Sequence, residues 1–573
     1  MHSTHVREIF NGEKVDWVIV GGGPAGCVLA HRLSADPDVK VVLLEAGSDY
    51  SPGEEPWQIR DTFGPSAATD PRFLWPDVKV NWAPHANRQP KRYEQGRVIG
   101  GGSSVNGMWA IRGHSEDYDA WAEAGAEGWG WDEMLPRFRR IERDLDYSGD
   151  AHGVEGRIPV RRHRPDQWPP LCRALCEAAT TQGYSYVSDM NGDIQDGWAP
   201  VPMNSDGSQR VSAAMAYLDR ETRSRSNLLI LGNADVRKVL FDGRKAIGVV
   251  VRLDGIEQMV RANEVVLCAG AFQSPTLLMR SGVGPGRHLQ TMGIPVVRDL
   301  PGVGRNLHDH PYLYLGVHLK RNAMQDPSMR PWVHSCLRFS SGLEGCASGD
   351  MILTMLNKTM WHALGQRIGA VGVSLYKSFS RGQLKLDDRD PDGFPLVDFN
   401  LLTDPRDLKR MAIGVRLAWS LLQDERVKSC ITDVFAASYS DAVRRVTART
   451  RSNGWKASAF ASLLDGPASL RRLLIDRFIA QGERIAEVID DDDALSDYII
   501  RNCAGVYHPV GTCRMGSDSD PMAVLDPNCR VRGVENLRVV DASVMPSIPR
   551  ANTHFPVLAI AERAADLIKK SGY

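Results

Sequence analysis

Val15-Asp16-Trp17-Val18-Ile19-Val20 runs directly into Gly21-Gly22-Gly23-Pro24-Ala25-Gly26, and the reading of this stretch decides the fold. The first six residues are apolar and rich in β-branched side chains, so they predict a buried strand that ends in a glycine turn. Ala25 to Ala35 then carries apolar residues at helical spacing, and Lys40 to Leu44 predicts a second buried strand closed by Glu45-Ala46-Gly47. Strand, helix and strand within about 30 residues form a βαβ unit of the dinucleotide-binding kind. In such a unit Gly21 permits the tight turn, Gly23 lets the backbone approach a pyrophosphate, and Gly26 lets helix and strand pack closely. The helix N-terminus offers free N–H groups to the anion. Glu45 lies about 20 residues beyond the glycines, where a carboxylate accepts hydrogen bonds from an adenosine ribose.

The rest of the composition is that of an ordinary enzyme. At 573 residues two or more domains are expected. Charged residues make up 24% and the formal net charge is −1, so there is no field to attract nucleic acid. The first 14 residues are polar with no apolar core, and no later run reaches the length of a membrane span, so a cytoplasmic protein without an integral membrane segment is expected. The ten cysteines are scattered and read as reduced thiols, with Cys172-x3-Cys176 at helical rather than zinc-ribbon spacing. His308-Asp309-His310 lacks a third ligand nearby and reads as a satisfied loop, so no metal is expected.

Further along, Tyr50 to Pro90 is rich in Pro, Asp and Trp without a sustained period, and a surface excursion is expected. Gly96-Arg97-Val98-Ile99-Gly100-Gly101-Gly102-Ser103-Ser104-Val105-Asn106-Gly107 reads as a second cofactor loop, its small residues exposing backbone N–H groups while Val98, Ile99 and Val105 anchor it. Asp117 to Arg143 predicts helices joined by a Gly-Trp turn that brace this loop. Helices are expected at Leu171 to Ala179 and Ser212 to Leu218, and strands at Leu228 to Leu231, Ala246 to Val251, Glu264 to Cys268 and Leu537 to Asp541. Met351 to Met355, Ala370 to Leu375 and Gln383 to Leu386 are strand-like runs of one antiparallel sheet, followed by an amphipathic helix over Asp407 to Leu422. The basic stretch within 430–495, ending in the acidic run Asp490 to Asp493, reads as solvated helices, with a lid, an oligomer contact or a peripheral membrane patch as alternatives. A last helix is predicted from Pro556 to Lys570.

With both glycine loops in view, the chain resembles the glucose-methanol-choline family of FAD oxidoreductases over nearly its whole length. Gly96 to Gly113 resembles the family's first signature, and Cys268 to Pro275, Pro301 to Leu307, Tyr507-His508-Pro509, Asp541-Ala542-Ser543 and Asn552-Thr553 follow in family order. The resemblance implies a mixed α/β architecture, with a Rossmann-like FAD-binding domain (1–160, 226–312 and 500–573) and a discontinuous substrate domain on an antiparallel sheet (161–225 and 313–499). It implies FAD held by Gly21, Gly23, Pro24, Ala25, Gly26, Glu45, Ala46, Val98, Gly101, Gly102, Ser103, Asn106, Gly107, Asp541, Ala542 and Thr553, with the Val236 backbone at the adenine. A non-covalent cofactor is implied, because Val105 stands where some members carry a flavin-linking histidine. His508 takes the place of the family's base and Asn552 that of its partner, while His554 departs from the Asn often found third. A base is needed because an alcohol gives up hydride readily only as its hydroxyl proton leaves, and neutral imidazole suits that near pH 7. The wording of Tyr93 to Val105, Gly125 to Tyr147 and Asp398 to Leu408 looks most like the family's bacterial aryl-alcohol and hydroxymethylfurfural oxidases. The implied reaction is oxidation of a primary aromatic or furanic alcohol to the aldehyde, with oxygen as acceptor. A quinone-type acceptor, a hydroxynitrile lyase and a photodecarboxylase are the alternatives.

Overall fold

Two seven-stranded sheets organise the computed structural model, which describes residue 10 and residues 12–83, 89–192, 194–437, 441–480 and 484–570. The βαβ unit forms as β1 (Lys14–Val20), α1 (Pro24–Leu33) and β2 (Val41–Leu44), with β2 parallel to β1 from Trp17 opposite Val41 to Val20 opposite Leu44. Leu228–Leu231 extends the sheet beyond β2, and Ile256–Leu267 lies on the other side of β1. Ile256–Leu267 is longer than the predicted strand because its halves pair differently. Its first half is antiparallel to Lys245–Leu253, whereas Val265 to Leu267 runs parallel to Leu537–Val539. Val18, Ile19, Val42, Leu43, Val265 and Val266 are buried on both faces, which is why these strands read as unbroken apolar runs. The parallel strands end at a common edge, the side on which open α/β sheets bind ligands.

The second sheet is antiparallel throughout, in the order Ile431–Ala437, Pro311–Leu319, Ile368–Leu375, Met351–Leu356, Val333–Phe339, Gly197–Pro200, with Ala504–Gly505 added to Pro311–Leu319. Side chains alternate between its faces. Leu313, Leu315, Val317, Leu353, Met355, Val371 and Val373 join the main core with Met411, Val415 and Ala418 of the helix Pro405–Leu422. Tyr312, Tyr314, Thr354, Leu356, Ala370 and Ser374 face a cavity instead. Gly372 makes this possible, since a Cβ there would collide with the Tyr312 hydroxyl. On the strength of the two sheets we propose the domain division expected from the sequence.

Three expectations need correction. Gln383–Lys385 pairs with Leu396–Asp398 in a separate two-stranded ribbon, because its turn returns the chain after three paired residues. The described part of Tyr50 to Pro90 is no surface excursion. Ile59, Ala67, Phe73 and Leu74 pack with Val98 and Val105 beneath the second glycine loop, and they project from short helices and turns, so no single period shows in the sequence. The helices Ser115–Glu123 and Trp131–Ile141 form as expected but brace a different segment. Trp121 Nε1 donates to the Ser547 carbonyl at 2.9 Å and Asp117 accepts from the Arg550 N–H at 2.9 Å, so they hold the approach to Asn552. Residues 1–9 and 11 of the polar N-terminal stretch, and 438–440 and 481–483 of the basic one, lie outside the described residues. Among the described residues no helix is long and apolar enough to cross a membrane.

Candidate active site

A cavity of about 950 Å³ runs from the carboxyl edge of the parallel strands to the antiparallel sheet, which is large even among ligand sites. Gly21, Gly23, Pro24, Ala25, Glu45, Ala46, Gly101, Gly102, Ser103, Asn106, Gly107, Val236, Asp541, Ala542, Thr553, His508 and Asn552 all line it. Gly26 and Val98 do not. A Cβ on Gly26 would strike the Gly21 carbonyl, so Gly26 serves helix-to-strand packing, and Val98 is a core residue. Gly21 has φ +103° and its Cβ would lie 2.6 Å from the Cys268 carbonyl, which makes it the turn glycine. Gly23 differs. Its nearest neighbour would be 3.8 Å away and a Cβ on Gly102 would meet nothing within 4 Å, so the space before these two glycines is left for a ligand. The two loops are tied by the Gly100 N–H, which donates to the Gly22 carbonyl at 2.7 Å.

Several predicted side chains have work within the protein. Glu45 accepts from the Gly22 and Gly47 N–H groups, both at 2.8 Å, and burial raises its pKa to about 7. Each carboxylate oxygen can accept a second bond, so the site remains able to receive ribose hydroxyls. Asp541 is fully buried and accepts from Gly270 N, Ser274 Oγ and Ser543, so it joins the cavity floor to the start of the last segment. Ser103 Oγ donates to the Gly100 carbonyl and accepts from the Ala213 N–H. Asn106 Oδ1 accepts from Arg210, which is wholly buried and also donates to the Ser103 carbonyl.

At the far end stands His508, following Tyr507 at φ +66°. Its Nε2 is 3.1 Å from Asn552 Nδ2, and its Nδ1 is 2.9 Å from Nδ1 of His310. His310 Nε2 is 3.1 Å from the Pro549 carbonyl. A carbonyl only accepts, so His310 carries its proton on Nε2 and presents a lone pair at Nδ1. His508 must then donate from Nδ1, which leaves Nε2 as the acceptor, its lone pair receiving an N–H of Asn552 in this structure and able to take a proton in the cavity when a substrate hydroxyl replaces that contact. Asn552 is oriented in turn, its Oδ1 accepting from the Tyr376 hydroxyl at 3.1 Å. Tyr376 stacks on His310 with ring centroids 4.5 Å apart and planes 9° from parallel. Burial lowers the pKa of His508 to about 3 and holds His310 well below its ordinary value, so both rings are neutral at working pH.

The loop 308–310 therefore does more than satisfy itself. Asp309 Oδ1 accepts from the His310 and His508 N–H groups at 2.7 and 3.0 Å, and His308 accepts from the Ile548 N–H. No metal role is needed to account for these histidines. Sequence reading missed His310 and Tyr376 as part of the site, since the contact between His310 and His508 spans 198 positions. His554, at the start of the helix His554–Lys570, lines the cavity with neither ring nitrogen partnered among the described residues. Buried polar atoms in native proteins are nearly always satisfied, so His554 marks a place where a polar ring edge belongs. Together with the cradle before Gly23 and Gly102, it fits the residues to FAD.

Sheet, paired glycine loops and a neutral histidine facing a long cavity define a dinucleotide-dependent oxidoreductase. The chain belongs to the GMC oxidoreductase family, whose N-terminal part matches residues 15–312 and whose C-terminal part matches residues 378–561. It is thus an FAD-dependent alcohol oxidoreductase. It is 39% identical over 566 residues to a 5-(hydroxymethyl)furfural oxidase of Methylovorus sp. (strain MP688), covering 96% of this chain and 98% of that enzyme. An oxygen-dependent choline dehydrogenase of Photobacterium profundum is 33% identical, with 96% and 92% covered. Among solved structures, pyridoxine 4-oxidase from Mesorbium loti superposes with a TM-score of 0.80 at 28% identity, over 98% of this chain and all of that one.

Proposed function

We propose that this enzyme oxidises a neutral primary alcohol on an aromatic or furanic ring to the aldehyde, with oxygen as acceptor and hydrogen peroxide as product. The observation that carries the reading is His508 Nε2 beside Asn552 Nδ2, facing an end of the cavity walled by Trp332, Tyr312, Tyr314, Tyr376, Phe435 and Met360. Flat apolar walls suit a ring. A cation suits them less, because the five carboxylates lining the cavity already have donors: Glu45 and Asp541 as above, Asp235 from Arg237 and Arg252, Asp392 from Arg237, and Glu94 from Arg444 and Tyr507. Similarity to a furanic-alcohol oxidase supports the same choice over choline.

FAD, when bound, supplies the acceptor for the hydride that leaves the alcohol carbon. His508 Nε2 takes the hydroxyl proton, and Nδ1 stays bonded to His310 so that the ring holds its orientation. Asn552 fixes the substrate oxygen, giving a hydrogen bond from Nδ2 while Tyr376 holds its carbonyl. The aromatic walls exclude water from the reacting carbon. We read FAD as held without a covalent bond, since Val105 at the cavity wall has no nucleophilic atom. Among the described residues none of the ten cysteines forms a disulfide, which suits the reducing cytoplasm.

A panel of aromatic, furanic, aliphatic and choline-type alcohols tests the proposal, reading peroxide under air and flavin absorbance without it. Peroxide from aromatic and furanic alcohols alone is expected. Reduction by alcohol with no reoxidation after an oxygen pulse would replace oxygen by another acceptor, and preference for choline would overturn the substrate class.

A further inference from the structure

Exposed apolar side chains are concentrated on one part of the surface. Of the fifteen large exposed hydrophobic residues among those described, six lie between residues 446 and 478: Val446, Trp455, Leu463, Leu470, Leu473 and Phe478. Trp455 is 84% exposed, Phe478 68% and Leu473 64%. They belong mainly to the helices Arg451–Leu464 and Ala468–Phe478. The first helix buries Ala457, Ala461 and Leu464 and turns Trp455, Ala459 and Leu463, spaced four apart, to solvent. The second buries Ile475 alone and exposes Leu470, Leu473 and Arg477. Phe460 and Phe478 meet edge to face at 5.8 Å, which joins the two helices into one surface. Such clustering on a folded protein marks a contact surface.

Its charge indicates what it contacts. Residues 441–479 contain eight Arg or Lys against three Asp. Asp465 is bound by Arg321 and Arg367, and Asp476 by Arg484. Arg445, Arg451, Lys456 and Arg477 have no ion-pair partner among the described residues. A surface of Trp, Phe and Leu fringed by free cations is the pattern of a segment that lies in an anionic lipid headgroup layer. A second copy fits worse, since a two-fold interface would set these free cations against their own mates. The segment also adjoins the active-site cavity, because Val443 and Ile479 line it.

We propose that the helical pair 451–478 docks this enzyme onto an anionic lipid bilayer, with the cavity opening beside the membrane so that lipid-partitioned alcohols reach it. Docking itself does not rest on the substrate reading. The test uses FAD-loaded full-length protein in flotation with phosphatidylcholine vesicles, with and without phosphatidylglycerol, and light scattering for its mass. Trp455→Ala with Phe478→Ala, and Arg451→Glu with Lys456→Glu, are the variants. Both pairs are solvent-facing, so flavin content and turnover of a water-soluble alcohol should stay at the wild-type level. Expected are a monomer in solution, binding only to the anionic vesicles, and weakening by salt. The apolar pair of substitutions should abolish binding, and the charge reversal should weaken it by about five-fold or more per cation. No binding, equal binding to neutral vesicles, or binding that both variants retain would overturn the proposal. A dimer in solution that Trp455→Ala with Phe478→Ala dissociates would give the surface to a second copy instead.

Discussion

Replacing His310 with phenylalanine isolates what the His310–His508 contact does for the reaction. A phenyl ring can keep the stack on Tyr376, 4.5 Å between centroids, while removing the Nδ1 acceptor that faces His508. The Nδ1–H of His508 is then buried without a partner, and a ring with its proton moved to Nε2 can no longer take one from an alcohol. Leaving a buried donor unsatisfied costs about 1 to 3 kcal/mol. If that sum separates the two tautomers, the competent one is depleted by about 5- to 150-fold. The rate of anaerobic flavin reduction by a good alcohol should fall by that factor, with flavin content unchanged, because His310 does not line the cavity. His310→Gln, which offers an acceptor again, should recover part of the loss. Stopped-flow absorbance measures both. A wild-type rate in His310→Phe, at full flavin content, would refute the tautomer argument.

Three further outcomes follow from the same geometry. Glu45→Ala removes two bonds from backbone N–H groups to a buried carboxylate, each worth about 1.5 to 3 kcal/mol, so the purified protein should lose most of its flavin, read as the ratio of visible to ultraviolet absorbance. Acid precipitation of the yellow protein should leave the colour in the supernatant, and a coloured pellet would contradict non-covalent binding. In His152 burial alone would lower the pKa, but bonds to Asp144, Asp189 and Glu142 outweigh it and raise the value to about 10. A group raised on folding stabilises fully below its unfolded pKa and loses that contribution as pH rises through the folded one. The melting temperature should therefore fall between pH 7 and pH 10 more steeply in the wild type than in His152→Gln, and parallel curves would remove His152 from the account.

The βαβ unit was legible because each of its glycines has a separate steric duty, and each duty leaves a fixed spacing. Gly21 and Gly26 take up their duties in the fold, and Gly23 has open space before it. The antiparallel sheet was legible in part. Met351–Leu356 and Ile368–Leu375 are apolar enough to announce themselves, whereas the short ribbon strand Gln383–Lys385 shows nothing in sequence to tell which partner it chooses. Tyr50 to Pro90 misled because its apolar residues reach the core from turns, where spacing follows no helix or strand period. At the proposed site, motif order singled out His508 and Asn552, which the fold brings together at the cavity, but the residues that orient them come from elsewhere. His310 arrives from a loop and Tyr376 from the residue after a strand, and a hydrogen-bond chain between distant positions leaves no local pattern.

The most direct test of the central claim is reduction of the bound flavin by an aromatic primary alcohol, anaerobically and in the dark, in the wild type and in His508→Ala. With the His508 pKa lowered to about 3, the wild-type base is already neutral in weak acid, so its rate should change little from about pH 8 to about pH 5. His508→Ala should keep its flavin and reduce it about 10²- to 10⁴-fold more slowly across that range. An equal rate in the two proteins, or a flavin that aromatic alcohols never bleach, would contradict the account.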